Sequence, residues 1–346
     1  MPSKQDLEMA ADEIVLLTAQ ALIASGATEA NAYPVAQGTA AAEFAGMPSH
    51  GLLYVPIYCD HLRVGKVDGQ AAPSLEQVKS AMLVADAATG FAHPAIARGF
   101  ERLVPLARET GIAALAVRNS YNCGLLGYHA DKLAAEGLIG IGFTNAPASI
   151  APVGGKQPVI GTNPFALAVP DGTGGSAISI DQSASVIAKS EVMKRAKAGQ
   201  ALEPGWAIDP DGNPTTDATL ALKGTMAPSG GYKGIGIGLF VELLAAAASG
   251  ATLGIDASPF SGPVGGPPRT GQFFIAIDAM SSSGGMFDDR LARLCEAFAK
   301  QPGARLPGAK KAAFRARATA KGTVGVDPDL VARIRHIAGS PVVGTR

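Results

Sequence analysis

The sequence predicts a mixed α/β protein with two lobes, one around a central β-sheet and one made of helices from both chain ends. From about residue 80 onward, short apolar runs of β type alternate with glycine-rich turns and helices. Both ends of the chain instead carry apolar residues at helical spacing. These patterns assign residues 1–75 and 286–346 to the helical lobe, and residues 76–285 to the central lobe.

The composition is that of a globular protein without a charge bias. Of its 346 residues, 47% are hydrophobic and 17% are charged, and the formal net charge is zero. This balance excludes a disordered chain and gives no electrostatic attraction to nucleic acid or to an anionic membrane. The longest apolar run, 239–248, is interrupted by Glu242 and is too short to span a bilayer. We therefore expect neither a nucleic-acid nor a membrane partner.

The cysteines point to a reducing compartment. Cys59, Cys123 and Cys295 are far apart, odd in number and without the spacing of metal ligands. The N-terminal residues include several acidic side chains and no apolar stretch of the kind a signal peptide needs. We expect a cytoplasmic protein that binds no metal.

Four helices are predicted at the two chain ends, and they cover residues 5–25, 29–45, 288–300 and 328–339. Gly26 follows the first of these as a C-cap. Ser49 is expected to act as the N-cap of a further helix that continues to Gly65.

The central lobe predicts six apolar strands separated by helices. The strands are expected within 81–87, 113–119, 138–146, 165–170, 177–183 and 273–279. The helices are expected at about 93–109, 125–136, 184–198 and 234–249. Because the strands are almost entirely apolar, helices should cover both faces of the sheet. The Gly-, Pro- and Ser-rich segment 254–270 predicts a long ordered loop.

Two familiar ligand motifs are absent. Gly234, Gly236 and Gly238 come near the dinucleotide pattern G-x-G-x-x-G, but Leu239 stands where the third glycine belongs and no strand precedes them. A helix packed through its glycines is the better interpretation. The acidic segment 209–217 fails as a calcium loop because proline occupies its sixth position, so a surface turn is expected.

One histidine has a context suited to proton transfer. A helix that starts at Ser49 would place His50 in its first turn, where the helix dipole lowers the imidazole pKa. A carboxylate would raise that pKa again and hold one ring tautomer. Asp181 is a candidate partner because it ends an apolar strand. The alternatives, a structural histidine and an exposed turn aspartate, stay open on these grounds.

Six segments together resemble the malate/L-lactate dehydrogenase family. They are SHGLLYVPIY (49–58), NSYNCGLLGYHA (119–130), APVGGKQPVIGTNPFALAVP (151–170), IDQSAS (180–185), PDGNPTTD (210–217) and GGYKG (230–234). The closest type within the family is Δ1-piperideine-2-carboxylate/Δ1-pyrroline-2-carboxylate reductase. The resemblance implies a non-Rossmann fold, NADPH or NADH bound across the central lobe, a small-molecule substrate, and a homodimer whose active site lies near the subunit interface.

The resemblance also implies roles for individual residues. His50 would donate the proton, Asp181 would orient the imidazole, and Ser49 would complete the hydrogen-bond relay. Thr162 and Asn163 would face the substrate carboxylate. Cofactor contacts would come from Leu126, Gly127, Tyr128, Thr144, Asn145, Gln182, Ser183, Gly231, Lys233, Gly234 and Arg315. Arg315 belongs to a basic segment with Lys310, Lys311 and Arg317, for which a solvated loop is the alternative.

Two positions depart from the family pattern. Tyr54 stands where most relatives, including most imine reductases, have an arginine in S-H-G-x-x-R, and Asn122 replaces a histidine common in the hydroxyacid dehydrogenases. Tyr54 lies four residues after His50 and should share its helical face. Tyrosine lacks the guanidinium that binds a carboxylate bidentately and suits a less anionic or ring-shaped substrate. Asn122 can hydrogen-bond but cannot shuttle protons.

Both residues are therefore assigned to substrate binding. The expected reaction is the reduction of a cyclic imine carboxylate. A 2-hydroxyacid dehydrogenase and an inactive ligand-binding member of the family are the alternatives.

Overall fold

The computed structural model describes residues 6–339, and the first part of this stretch is mainly helical. Its elements are β1 (Leu7–Met9), α1 (Ala11–Ala24), α2 (Glu29–Phe44), two 3₁₀ turns (Pro48–His50 and Leu52–Tyr54) and α3 (Val55–Arg63). The first helix was predicted from residue 5, which lies outside the described residues. It begins only at Ala11 because the residues before it form β1.

The prediction that Ser49 caps a helix is wrong. Ser49 lies inside the first 3₁₀ turn, no side chain caps that turn, and regular α-helix begins only at Val55. Gly51 separates the two turns with φ −98° and ψ −138°. His50 and Tyr54 therefore lie on different 3₁₀ turns and not on one helical face, and no α-helix N-terminus acts on His50.

The middle of the chain forms the sheet lobe. Its first elements are β2 (Ser74–Lys79), β3 (Met82–Asp86), α4 (Ala92–Thr110), β4 (Ile112–Ser120), α5 (Leu126–Ala135), β5 (Ile139–Thr144), β6 (Phe165–Pro170) and β7 (Ser176–Gln182). The next are α6 (Lys189–Lys197), β8 (Ala207–Ile208), β9 (Pro214–Thr215), α7 (Ala218–Lys223), β10 (Thr225–Met226), α8 (Tyr232–Glu242), a short π-helix (Leu243–Ala248) and β11 (Thr270–Ile277). All six predicted strands are present.

Seven of these strands make one mixed sheet in the order β2-β3-β4-β11-β5-β6-β7. Only the β3–β4 pair is parallel, and α4 connects its two strands. The other neighbours pair antiparallel. β8, β9 and β10 form a separate three-stranded sheet, in which Asp209 closes the predicted surface turn by accepting from the backbone N–H groups of Asp211 and Asn213.

The two faces of the large sheet are covered unequally. One face packs on α4 and α5 in a fully buried core that includes Leu83, Leu115 and Phe274. The opposite face packs on α8 and the π-helix through Phe143 and Phe273. Several apolar side chains of this second face remain half-buried, namely Met82, Val84, Ala114, Ile141 and Ile275. The prediction that helices cover both faces is therefore only partly correct.

The last elements return to the N-terminal helices. They are α9 (Ala279–Ser282), α10 (Phe287–Ala299), α11 (Ala309–Lys321), β12 (Val324–Val326) and α12 (Pro328–Ile337). β12 pairs antiparallel with β1, and residues of α11, β12 and α12 share one hydrophobic core with α1, α2 and α3. The prediction of a helical lobe built from both chain ends is thus confirmed.

The long loop before β11 is tied to the same lobe. The buried Lys66 ammonium donates to the carbonyl oxygens of Pro259 (2.5 Å), Gly262 (3.2 Å) and Val264 (2.8 Å). Such contacts satisfy backbone carbonyls that irregular structure leaves unpaired. No helix among the described residues is long and apolar enough to cross a membrane.

Candidate active site

Ser49 and His50 form a hydrogen-bonded pair on the first 3₁₀ turn. The Ser49 hydroxyl Oγ lies 3.2 Å from His50 Nδ1, and both side chains are partly exposed. Burial lowers the pKa of His50, and the negative charge of Asp181 opposes this shift. The lowering was expected from a helix dipole, but burial is its cause, and Asp181 has the expected opposing effect.

Asp181 lies near the end of β7, beside Ala166 of β6. Its Oδ2 atom accepts a 2.8 Å hydrogen bond from the backbone N–H of Gly127, in the first turn of α5. An N-terminal helix turn favours a carboxylate at this place. Burial raises the pKa of Asp181, whereas Lys311, the Gly127 N–H and His50 act to lower it.

Part of the predicted basic segment lies beside this carboxylate. Lys311 of α11 lies 3.6 Å from Asp131 Oδ2 and donates to Ser179 Oγ at 3.2 Å. Arg315 pairs with the same Asp131 oxygen at 3.0 Å. Lys310 and Arg317 are exposed. The segment is therefore helical, and only two of its four cations point to the β7 side.

Tyr54 lies in an aromatic cluster next to Asn122. Its ring packs edge-on against Tyr58 with centroids 4.8 Å apart. Tyr58 donates to Asn122 Oδ1 at 3.0 Å, and the backbone N–H of Gly124 donates to the same oxygen at 3.1 Å. Since a backbone N–H can only donate, the amide orientation is fixed with its Nδ2 group on the other side. Burial raises the pKa of Tyr54, which Tyr121 and Asn122 oppose.

Two asparagines predicted to contact ligands have structural hydrogen bonds. Asn163 is fully buried, and its amide donates to Glu242 Oε2 at 2.7 Å and to the Gly238 carbonyl at 2.9 Å. The buried Asn145 amide donates to Glu242 Oε1 and to the Thr252 carbonyl. Both side chains are thus engaged in hydrogen bonds inside the protein, and their contacts with substrate and cofactor stay predictions. Both side chains are used to hold β5, α8 and the following loop together.

The other predicted residues lie on segments that run beside one another. The Ala184 N–H donates to the Thr162 carbonyl, and the Ser229 N–H donates to the Ala184 carbonyl. The first bond brings Thr162 alongside Gln182 and Ser183. The second brings this pair of segments alongside the turn before α8. Gly231, at φ +65°, precedes α8, and Lys233 is exposed in its first turn. Gly234 is buried, and a Cβ atom there would lie 2.2 Å from the Ser229 carbonyl oxygen, so this close approach requires glycine.

The remaining cofactor candidates are more enclosed. The Leu126 side chain belongs to the core under the sheet, and Thr144 accepts from Gln272 and donates to the Gly271 carbonyl. Tyr128 is partly exposed and its ring lies 4.7 Å from the Lys132 ammonium. Among the residues described, no group of three or more His, Cys, Asp or Glu side chains could hold a metal ion.

Two site-forming residues were missed in the sequence. Tyr58 orients Asn122, but in the sequence it resembles an ordinary apolar position of a helix. Glu242 was noticed only because it interrupts an apolar run. A carboxylate inside such a run needs buried hydrogen-bond donors, and this requirement is the signal that could have revealed it.

Comparison with known proteins places this geometry among nicotinamide-dependent oxidoreductases. Residues 9–335 match the model of a family described as malate/L-lactate dehydrogenase. A (2R)-3-sulfolactate dehydrogenase (NADP(+)) of Chromohalobacter salexigens is 42% identical over 88% of this chain and 90% of its own length. A Δ1-pyrroline-2-carboxylate reductase of Ancylobacter novellus is 36% identical over 94% of this chain and 96% of its own length.

A solved structure has the same fold. The Δ1-piperideine-2-carboxylate reductase of Pseudomonas syringae superimposes with a TM-score of 0.88 at 32% sequence identity, covering 96% of this chain and 99% of the other. The predicted non-Rossmann fold class is therefore confirmed, which explains the missing dinucleotide glycine motif.

The electrostatic coupling between His50 and Asp181 can be tested directly. Since the Asp181 charge raises the His50 pKa, Asp181→Asn should lower that pKa further, while the Gly127 N–H keeps an acceptor. An NMR titration of the histidine ring signals measures the change. Asp171→Asn, on the exposed β6–β7 turn, is the matched control and should leave the His50 pKa unchanged. An unchanged or higher pKa in Asp181→Asn would show that the two groups are not coupled.

Proposed function

We propose that this chain, which belongs to the malate/L-lactate dehydrogenase family and is an NAD(P)-dependent oxidoreductase, reduces cyclic imine carboxylates. The proposed substrates are Δ1-pyrroline-2-carboxylate and Δ1-piperideine-2-carboxylate, and the products are L-proline and L-pipecolate. The observation that carries this choice is the aromatic packing of Tyr54 on Tyr58, which binds Asn122. The similarity to reductases of these two imines supports it.

The residues present fit a dinucleotide cofactor. The free N–H groups at the start of α8 and the exposed Lys233 suit a phosphate group. Lys311 adds a cation beside Asp181, away from the start of α8. Gln182 and Ser183 follow Asp181 in the chain and lie between Asp181 and the start of α8. When bound, NAD(P)H supplies the hydride.

His50 is proposed to supply the proton. In the reaction a hydride adds to C2 of the imine, the electron pair of the C=N bond moves to nitrogen, and nitrogen takes one proton. Burial makes the His50 imidazolium a stronger acid by lowering its pKa. Asp181 acts in the opposite direction and so keeps the proton available near neutral pH. Ser49 holds Nδ1 and leaves Nε2 as the donating atom.

Substrate binding is assigned to Tyr54, Asn122 and Thr162. The Asn122 Nδ2 group, oriented by Tyr58 and Gly124, can donate to the substrate carboxylate. The Tyr54 ring offers an apolar surface for a five- or six-membered ring. A cyclic imine requires few further contacts. Its nitrogen is basic, and it carries one negative carboxylate where a dicarboxylate substrate carries two.

A 2-hydroxyacid dehydrogenase is the second candidate. The observation that favours it is the 42% identity to a sulfolactate dehydrogenase, which exceeds the 36% identity to the reductase of Ancylobacter novellus. The same His50 and Asp181 pair would then protonate a carbonyl oxygen. The two candidates differ in the group that faces Tyr54 and Asn122.

The enzyme is further proposed to act in the cytoplasm as a homodimer. All three cysteines are free thiols. The half-buried apolar face of the sheet continues into the exposed side chains of Ile112, Phe240 and Leu243. A continuous apolar surface of this kind is typical of a subunit contact. A second copy of the chain is proposed to cover this surface, and an active site near the subunit interface is proposed from the family resemblance.

A substrate screen tests the proposed reaction. Purified protein should oxidise NADPH or NADH faster with the two cyclic imines than with pyruvate, oxaloacetate or sulfopyruvate, because the Tyr54 ring offers an apolar surface that a ring-shaped substrate can cover. The decline in absorbance at 340 nm measures the rate. Higher kcat/KM with any of the ketoacids would overturn the imine assignment and support the second candidate.

Replacing Tyr54 by arginine should shift the selectivity. The new guanidinium favours a second anionic group and removes the ring surface, so imine reduction should weaken by about 10-fold while ketoacid reduction increases. The measurement is the ratio of kcat/KM values for the two substrate classes. Leu53→Arg, an exposed neighbour on the same turn, is the control. An unchanged ratio in Tyr54→Arg would mean that Tyr54 does not contact substrate.

The dimer has a simple test in solution. Light scattering coupled to size-exclusion chromatography should give twice the 34.9 kDa mass of one chain. The expected reason is burial of the apolar sheet face. A mass of a single chain at micromolar concentration would contradict the proposal.

A further inference from the structure

Glu43 is a buried carboxylate in the last turn of α2, only 6% exposed. Its Oε1 atom accepts a 2.7 Å hydrogen bond from the backbone N–H of Leu52. No ion pair within residues 6–339 involves it. Burial raises its pKa and the Leu52 hydrogen bond opposes the rise. A buried carboxylate without a cation is costly, so its single strong contact identifies what it does for the structure.

The contact lies at the junction of the two 3₁₀ turns. Leu52 is the first residue of the second turn, which continues directly into α3. Glu43 therefore accepts from an N–H group that the start of this helical segment leaves unpaired. The first turn, with Ser49 and His50, ends just before it at Gly51. The Glu43 carboxylate thus binds the backbone at the junction between the 3₁₀ turn that contains His50 and the 3₁₀ turn that contains Tyr54.

Gly51 leaves the space that this contact needs. A Cβ atom at residue 51 would lie 2.3 Å from Glu43 Oε1 and 2.7 Å from Glu43 Cδ. Any side chain there would push the carboxylate away from the Leu52 N–H. The glycine in the Ser-His-Gly segment is therefore required by close approach to Glu43 and not by a left-handed backbone, since its φ is −98°.

The other side of the His50 turn is held by α2 and α11. The Met47 N–H donates to the Ala42 carbonyl at 2.9 Å. A Cβ atom at Gly46, which has φ +70°, would lie 3.1 Å from the Phe314 ring of α11. Residues 47–50 are thus held at one end by contacts with α2 and α11, and at the other end by the Glu43 hydrogen bond and the buried Leu52 side chain.

We infer that Glu43 is a positioning residue, which holds His50 in its partly buried place beside Asp181 through the Gly51–Leu52 backbone. This inference rests on the proposed function of His50 as proton donor. It assigns to Glu43 no contact with substrate or cofactor.

Three variants and a control test the inference. Glu43→Ala removes the acceptor, Gly51→Ala displaces it, and Glu43→Gln keeps an acceptor oxygen. Asn31→Ala is the control, because Asn31 is a buried polar residue of the same helix that binds the carbonyls of Gly69 and Ala71, away from His50. Circular dichroism establishes that each variant is folded.

The readouts are the His50 pKa by NMR and the steady-state rate. Glu43→Ala and Gly51→Ala should raise the His50 pKa toward its ordinary value, because a released turn is less buried. Their kcat should fall by about 10- to 100-fold with little change in the cofactor KM, as expected for a misplaced catalytic group. Glu43→Gln should stay within about threefold of wild type, because an amide oxygen accepts the same bond. Asn31→Ala should leave the His50 pKa unchanged.

An unchanged His50 pKa in Glu43→Ala, or the same change in Asn31→Ala, would overturn the positioning role. The same loss in Glu43→Gln as in Glu43→Ala would overturn the acceptor role of Oε1. Failure of the proposed function is distinguishable, because it shows as a wild-type protein that turns over no cyclic imine. The NMR readout tests Glu43 in that case as well.

Discussion

The hydrogen bond from the Gly127 N–H to Asp181 is the contact on which the arrangement of the site depends. It joins the end of β7 to the first turn of α5, two elements that are far apart in the sequence. The absence of a side chain at Gly127 makes this possible, since a Cβ atom there would lie 2.5 Å from Asp181 Oδ2. The carboxylate is thereby held where it acts on His50 from the helical lobe and on Lys311 from α11.

The charges around this carboxylate are balanced against burial. Burial lowers the His50 pKa and raises the Asp181 pKa, so each group alone would tend to be neutral. Their mutual attraction opposes both shifts, whereas Lys311 and the Gly127 N–H oppose only the rise of the Asp181 pKa. The attraction between the two opposite charges therefore favours the charged form of each group. A proton donor of this kind needs both lobes to be in place.

The sequence predicted six of the seven strands of the large sheet and gave His50 and Asp181 as candidates, because these features leave local signals, whereas the polar edge strand β2 does not. Apolar runs bounded by glycines predicted six strands of the large sheet, and the Ser-His-Gly segment singled out His50. Local patterns failed where a distant residue decides the structure. Ser49 looks like an N-cap, yet Glu43 accepts from Leu52 and the chain makes two 3₁₀ turns instead. Asn163 looks available to a ligand, yet Glu242, 79 residues later, binds its amide.

The imidazole of residue 50 is proposed to deliver the proton that completes the reduction. The turnover of a His50→Ala variant with its preferred substrate measures this most directly, with cofactor binding followed by fluorescence. We expect a loss in kcat of about 10²- to 10⁴-fold, as is usual when a general acid is removed, with cofactor affinity retained. Turnover within about threefold of wild type would contradict this proposal, because no general acid of that strength would then have been lost.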